Sequence, residues 1–241
     1  MEAFLNLAKT MGPLLSGARK AVRFARYPMR FPTYSESVQE EIERRSDDVR
    51  YASLALAIER IRKENIPGAF AELGVFQGHT SRFMHQQAPE RRLYLFDTFK
   101  GFPEQIPGAS RDTRFRNTSQ EAVARFIGNL DHVIFRTGYF PDTARGLEDE
   151  RFALIMLDCD MYQPALDGLR FFYPRLAPGG YFFLHDFNSP ESDHGIERAA
   201  SEFLAEKAEA LIEVPDHWGS AVFRKLREGV KASGQTEARI S

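Results

Sequence analysis

From Gly68 onward the chain repeats one pattern: a short apolar run, a turn, then a longer segment with apolar residues at helical spacing. The runs are AFAELGV, LYLFDTF, HVIFRTG, FALIMLD and YFFLHDF. The segments between them fall at 79–88, 118–128 and 163–175, with one more at 195–208 and only a short turn after the third run. A strand covered on both faces needs apolar side chains at nearly every position, and a helix after each strand returns the chain for another parallel strand. FALIML and YFFL meet that requirement and predict central strands. The alternation therefore predicts an α/β fold built on a mostly parallel sheet.

Both ends of this repeat read differently. Ser46-Asp47-Asp48 is a helix start, because a short oxygen-bearing cap and an acidic first turn suit the positive helix end. Val49, Ala52, Leu56 and Ala57 then recur at helical spacing up to Asn65-Ile66-Pro67-Gly68, which predicts a helix over 46–65. Thr118-Ser119-Gln120-Glu121 has the spacing of a capping box for a later helix. LIEVP at 211–215 and SAVFRK at 220–225 are strand-like and separated by a turn, so they predict an antiparallel hairpin that brings the sheet to seven strands. The expected division is an N-terminal extension or lid over 1–45, one domain over 46–226 and a polar tail over 227–241.

A chain of 241 residues with a net charge of −2 has material for one sizeable core and no global basic field, so nucleic acid is not an expected partner. One cysteine, Cys159, cannot close an intramolecular disulfide, which fits a cytoplasmic protein. No apolar run reaches the roughly 20 residues that cross a bilayer. Residues 1–33 carry Lys9, Arg19, Lys20, Arg23, Arg26 and Arg30 against Glu2 alone. Such an arm can lie on an anionic membrane, but packing on a partner subunit or over a binding site is the stronger reading, and a homo-oligomer sharing a lid is expected.

Where the first strand meets its helix, Glu72-Leu73-Gly74-Val75-Phe76-Gln77-Gly78 forms an ExGxxxG turn followed by Thr80 and Ser81. Glycine there lets backbone approach a ligand closely, and the next helix aims its positive end at it. Phe76 occupies the place of the second glycine of GxGxxG, which disfavours a dinucleotide and with it a nucleotide-dependent oxidoreductase. Asp97, with Thr98 beside it, ends the second strand about 20 residues further on, where a carboxylate can accept ribose hydroxyls. A loop cap is the plainer role for Asp97. S-adenosylmethionine pairs a nucleoside with ammonium and sulfonium centres, so it suits an acidic residue at 72 and another at 97. The candidate cofactor residues are Glu72, Gly74, Val75, Phe76, Gly78, Thr80, Ser81, Asp97, Thr98, Gly138 and Asp158.

Strand four runs into Asp158-Cys159-Asp160 and strand five into His185-Asp186. Adjacent parallel strands bring these acids to one edge, and crowded like charge is costly unless a metal or protons relieve it. A divalent cation on Asp158, His185 and Asp186 is the economical explanation, with Mg2+ suited to oxygen ligands and the imidazole opening the choice to manganese or another transition metal. Asp160 is then free to act as general base toward a hydroxyl acceptor. The plainer alternative makes these residues strand-end caps and solvated loop acids. His194, in the loop SPESDHG after strand five, is a weaker candidate; His79, His85, His132 and His217 read as structural or solvated.

The blocks ELGVFQG, LYLFDTFKGFP, LDCDMYQPALDGLRFFYPRLAPGGYFFLHDF and GIERAASEF together resemble the macrocin O-methyltransferase family over roughly residues 46–225. The resemblance implies a Rossmann-like class I methyltransferase fold and S-adenosylmethionine-dependent methylation of a hydroxyl on a glycosyl or other polar natural product. It gives Glu72, Gly74 and Gly78 to the cofactor turn, Asp97 to the ribose, Asp158 and Asp186 to Mg2+, and Asp160 to the general base. His185 departs from the family pattern, which usually has a second aspartate there. SPESDHG also departs from the cysteine-containing segment expected, and with the loop at 100–117 it bears on acceptor choice. A methyltransferase-like binding subunit that keeps the fold without turnover is the non-catalytic alternative.

Overall fold

The structure is a computed structural model that describes residues 36–43, 47–102, 106 and 112–226. The basic arm at 1–33, Ser46, Arg111 and the tail at 227–241 lie outside the described residues. Helix α1 spans Glu36–Glu43 and α2 spans Asp48–Lys63; the Asp47 side chain caps α2 by accepting from the Arg50 amide. Then follow β1 Ala69–Leu73, α3 His79–Gln87, β2 Leu93–Asp97, α4 Gln120–Ile127, β3 Val133–Thr137, β4 Phe152–Leu157, α5 Tyr162–Phe172, β5 Leu176–Leu184, α6 Gly195–Leu204, β6 Ile212–Val214 and β7 Ser220–Arg224.

The seven strands lie in the order β3-β2-β1-β4-β5-β7-β6, parallel from β3 to β5 and antiparallel at β7 and β6. This is the mostly parallel sheet with a closing hairpin that the apolar runs predict, and the Rossmann-like arrangement that the resemblance implies. No helix among the described residues is long and apolar enough to cross a membrane.

Two helical layers cover the sheet. Ala71, Leu73, Phe96, Ile155 and Leu157 pack with Leu169 and Phe172 of α5 and Ile196 and Ala200 of α6. The alternate residues Phe70, Leu93, Leu95, Leu154 and Met156 are equally buried and, with period-two alternation, belong to the other face. Tyr51 of α2 meets Phe83 of α3 edge to face at 4.9 Å.

Two local expectations need correction. Ser119, not Thr118, caps α4 by accepting from the Ala122 amide, while the Thr118 hydroxyl donates to the Phe76 carbonyl and ties this segment to the glycine turn. Strand β5 starts at Leu176, five residues before the apolar run, because the Pro178-Gly179-Gly180 irregularity hides its first half; the register to β4 jumps there.

Register places the functional edge. Leu73 pairs with both Phe96 and Leu157, and Leu157 pairs with Leu184, so Gly74, Asp97, Asp158 and His185 come next in line on four neighbouring strands.

The aromatic stack of α5 offers a test of the core: Phe172 is fully buried and meets Phe96, Phe140 and Phe152 at 5.2–5.6 Å. Phe172→Ala is expected to cost about 3–5 kcal/mol, read as a lower urea midpoint at unchanged slope.

Candidate active site

Glycine at 74 is required by close approach. Its φ is +89°, and a Cβ there would sit 1.8 Å from the Asp158 carbonyl oxygen, so the turn after β1 and the end of β4 touch backbone to backbone. The Asp158 amide donates to the Leu73 carbonyl at 2.8 Å, and the Gly74 amide to the Phe96 carbonyl at 2.9 Å. Gly78, at φ +78°, starts α3 against Val123.

The Asp97 carboxylate shapes the turn. One oxygen accepts from the amides of Val75 (2.7 Å) and Phe76 (2.8 Å), and the other from the amide of Phe99 (2.7 Å). A carboxylate has about four lone-pair positions, so it has capacity left for a hydroxyl. Asp97 is thus a loop organiser as well as an edge acid. Glu72 is buried beneath the turn and accepts from the Ser81 hydroxyl. Burial pushes its carboxyl well above the usual range; the Ser81 bond opposes this, and Asp158 and Asp97 add to it.

These groups line one cleft of about 790 Å³, together with Thr80, Thr98, Gly138, Asp158, Asp160, His185 and Asp186. Val75 and Phe76 line it too. Gly78 and Ser81 stand behind the lining, acting through α3 and Glu72. His194 is not part of it; it is half-exposed, with Nδ1 3.3 Å from Glu197.

The acidic edge carries more positive charge than the sequence disclosed. Arg50 Nη1 lies 3.4 Å from Asp158 Oδ2, while its Nε lies 3.1 Å from Asp47 Oδ2. His185 Nδ1 lies 3.0 Å from Asp158 Oδ1 and 3.2 Å from Asp186 Oδ1. Burial opposes charge on this imidazole, but Asp158 and Asp186 outweigh it and raise its pKa to about 10. Burial likewise works against the Asp158 carboxylate, and His185 and Arg50 overcome it, holding its pKa below the usual value. Asp160 differs: burial, then Asp158 and Asp186, push it up to about 8 against the pull of Arg114 3.5 Å away. Asp160 and Asp186 both adopt positive φ, a conformation aspartate tolerates.

Arg50 and Tyr51 line the cleft without having been singled out as site residues, and Arg114 joins them from the 100–117 loop. A signal existed for Arg50: a cation in the first turn of a helix opposes the helix dipole and calls for another partner. Arg114 is held over Phe102 and Phe115 and pairs with Asp112 and Glu191 at 2.8 and 2.9 Å.

A family profile described as Macrocin-O-methyltransferase (TylF) matches residues 47–225. The chain belongs to this family. Among curated relatives, an 8-demethyl-8-(2,3-dimethoxy-alpha-L-rhamnosyl)-tetracenomycin-C 4'-O-methyltransferase of Streptomyces olivaceus is 31% identical over 156 residues, covering 57% of this chain and 60% of the relative. Mycinamicin III 3''-O-methyltransferase of Micromonospora griseorubida is 29% identical over 161 residues, covering 58% and 63%. The chain thus spans about 60% of the length of the curated relatives it matches. The solved structure of the O-methyltransferase NovP superposes with a TM-score of 0.60 at 23% identity, covering 83% of this chain and 92% of that one, which supports the fold.

Magnesium, implied by the macrocin O-methyltransferase resemblance, takes an oxygen shell. In this family member one oxygen or nitrogen each from Asp158, His185 and Asp186 lie within 4.8 Å of one another, but the middle donor is an imidazole already hydrogen-bonded to Asp158. The set does not fit magnesium; an ion that accepts nitrogen suits it better. Gly74→Ala tests the geometry of the edge: with no room for a methyl group, the turn and Asp158 must separate, and a loss of stability of about 2 kcal/mol or more is expected in denaturant unfolding.

Proposed function

We propose that the chain is an S-adenosylmethionine-dependent O-methyltransferase acting on a hydroxyl of a glycosyl or other polar natural-product acceptor. The observation that carries this reading is one cleft lined by Asp97 with its amide turn, buried Glu72 and the raised-pKa carboxyl of Asp160. Family membership supports the reaction class, and the rhamnosyl group in the tetracenomycin relative's name supports a sugar hydroxyl.

Asp97, positioned by the turn amides that donate to it, holds the adenosyl ribose, and Glu72 faces the positive methionyl end, which lowers the cost of its buried charge. Asp160 takes the proton of the acceptor hydroxyl. As the oxygen–methyl bond forms, the methyl–sulfur bond breaks on the opposite side, and the sulfonium becomes the neutral thioether of S-adenosylhomocysteine. Holding oxygen, carbon and sulfur in line is the larger share of the work, since positioning removes much of the entropic barrier. A nitrogen-accepting divalent ion at this edge would lower the pKa of a hydroxyl bound to it.

Calorimetry with S-adenosylmethionine should show one site per chain; absence of binding at millimolar ligand overturns the reading. Because Asp160 must be ionised to act, kcat/KM should rise with pH to an inflection near 8, the value set by burial and its acidic neighbours. Asp160→Asn should flatten that rise and lower the rate about 10²–10⁴-fold while leaving cofactor affinity unchanged.

A further inference from the structure

His185 stands between two pairs of carboxylates. Asp158 and Asp186 take up Nδ1, at 3.0 and 3.2 Å. A ring nitrogen of the same residue also lies within 4.8 Å of one carboxylate oxygen each from Asp47 and Asp216, and those two oxygens lie equally close to each other. With Nδ1 engaged, the nitrogen left for this second pair is Nε2. It is buried and has no hydrogen-bond partner, on a side chain only 5% exposed. Asp216 shows the same defect: Oδ2 accepts from the Ser220 hydroxyl at 2.6 Å, while Oδ1 is buried and unpartnered. Buried polar atoms are rarely left without a partner, and here two are found together.

We propose that Asp47, His185 and Asp216 form a binding site for a divalent transition-metal ion of the zinc or manganese class. An ionised carboxylate only accepts, so the bond to Asp158 fixes a proton on Nδ1, and a metal would bind at Nε2 by displacing the proton that the charged imidazole carries there. A ligating histidine that donates its other N–H to a carboxylate is the usual orientation device of such sites. One imidazole nitrogen with two carboxylate oxygens suits ions of borderline hardness and leaves coordination positions open. Charge points the same way. Of the four carboxylates around His185, those of Asp47 and Asp158 pair with Arg50, and a dication offsets negative charge that Arg50 and the imidazole leave over.

The three ligands come from the cap of α2, the end of β5 and the turn between β6 and β7. The ion would pin the first turn of α2 and the hairpin to the central sheet, with Asp158 orienting the ligating imidazole. This site is distinct from the Asp158–Asp186 edge where the family resemblance places Mg2+. It is tested without turnover, so its failure would leave methyl transfer standing.

The full-length protein, stripped with a chelator and dialysed, is titrated calorimetrically with Zn2+ and with Mn2+. One ion per chain is expected from at least one of them, with a higher thermal midpoint. Asp216→Asn should weaken binding at least 100-fold and remove the thermal shift, whereas Asp186→Asn should keep one ion with affinity within tenfold. Asp47→Asn, which retains an acceptor oxygen for the helix cap, gives a second reading should Asp216→Asn not fold, with the same loss expected. No binding of either ion at millimolar concentration overturns the site. So does a greater loss in Asp186→Asn than in the Asp216 and Asp47 variants, which would place the ion at the other edge, or equal losses in all of them.

Discussion

The backbone contact between Gly74 and Asp158 is the constraint on which the rest of the edge depends. Adjacent parallel strands put the end of β1 beside the end of β4, and the missing side chain at 74 lets the glycine turn close onto the Asp158 carbonyl. The turn that carries Asp97's hydrogen-bonded amides and the loop that carries Asp160 are therefore one rigid assembly. A larger residue at 74 would move both, so the glycine turn and the Asp160 loop are coupled through the backbone.

Electrostatics then divides this edge into two environments. Asp158 lies between Arg50 and His185 and stays ionised; Asp160, two residues on, is buried with weaker compensation from Arg114 and holds its proton up to about pH 8. Two carboxylates so close in sequence differ because the chain between them turns through the positive φ of Asp160, which aims it toward the 112–116 loop instead of toward α2. Environments that push neighbouring pKa values apart commonly mark a division of roles, one group fixed in charge and the other able to exchange a proton.

The parts of this arrangement visible in the sequence are those written in local pattern. The mostly parallel sheet could be anticipated because apolar runs and helical periods alternate, and the edge acids because each follows directly on such a run. Where local pattern fails, the reason is physical. Pro178-Gly179-Gly180 conceals the start of β5, since proline and glycine suit turns and an irregular strand equally well. Asp97 pointed toward a ligand, and its three amide bonds appear only once the turn after β1 is folded beside it. Asp47 and Arg50, Arg114, and Asp216 reach the site from three distant segments, and contacts of that kind leave no spacing to read.

Arg114 shows how such long-range contacts bear on the acceptor side of the cleft. Phe102 and Phe115 hold its guanidinium at 5.6 and 5.1 Å, so its position does not rest on ion pairs alone. It joins Asp112 of its own loop to Glu191 in the segment after β5. It also faces Asp160. An acceptor entering here meets a cation already satisfied by carboxylates, so an anionic group would have to compete with Glu191 and Asp112 for it. A neutral polyol can instead use the same carboxylates as hydrogen-bond acceptors without breaking the cluster. The charge on this side of the cleft is thus balanced within the protein, with the guanidinium of Arg114 engaged by Asp112, Glu191 and Asp160 together.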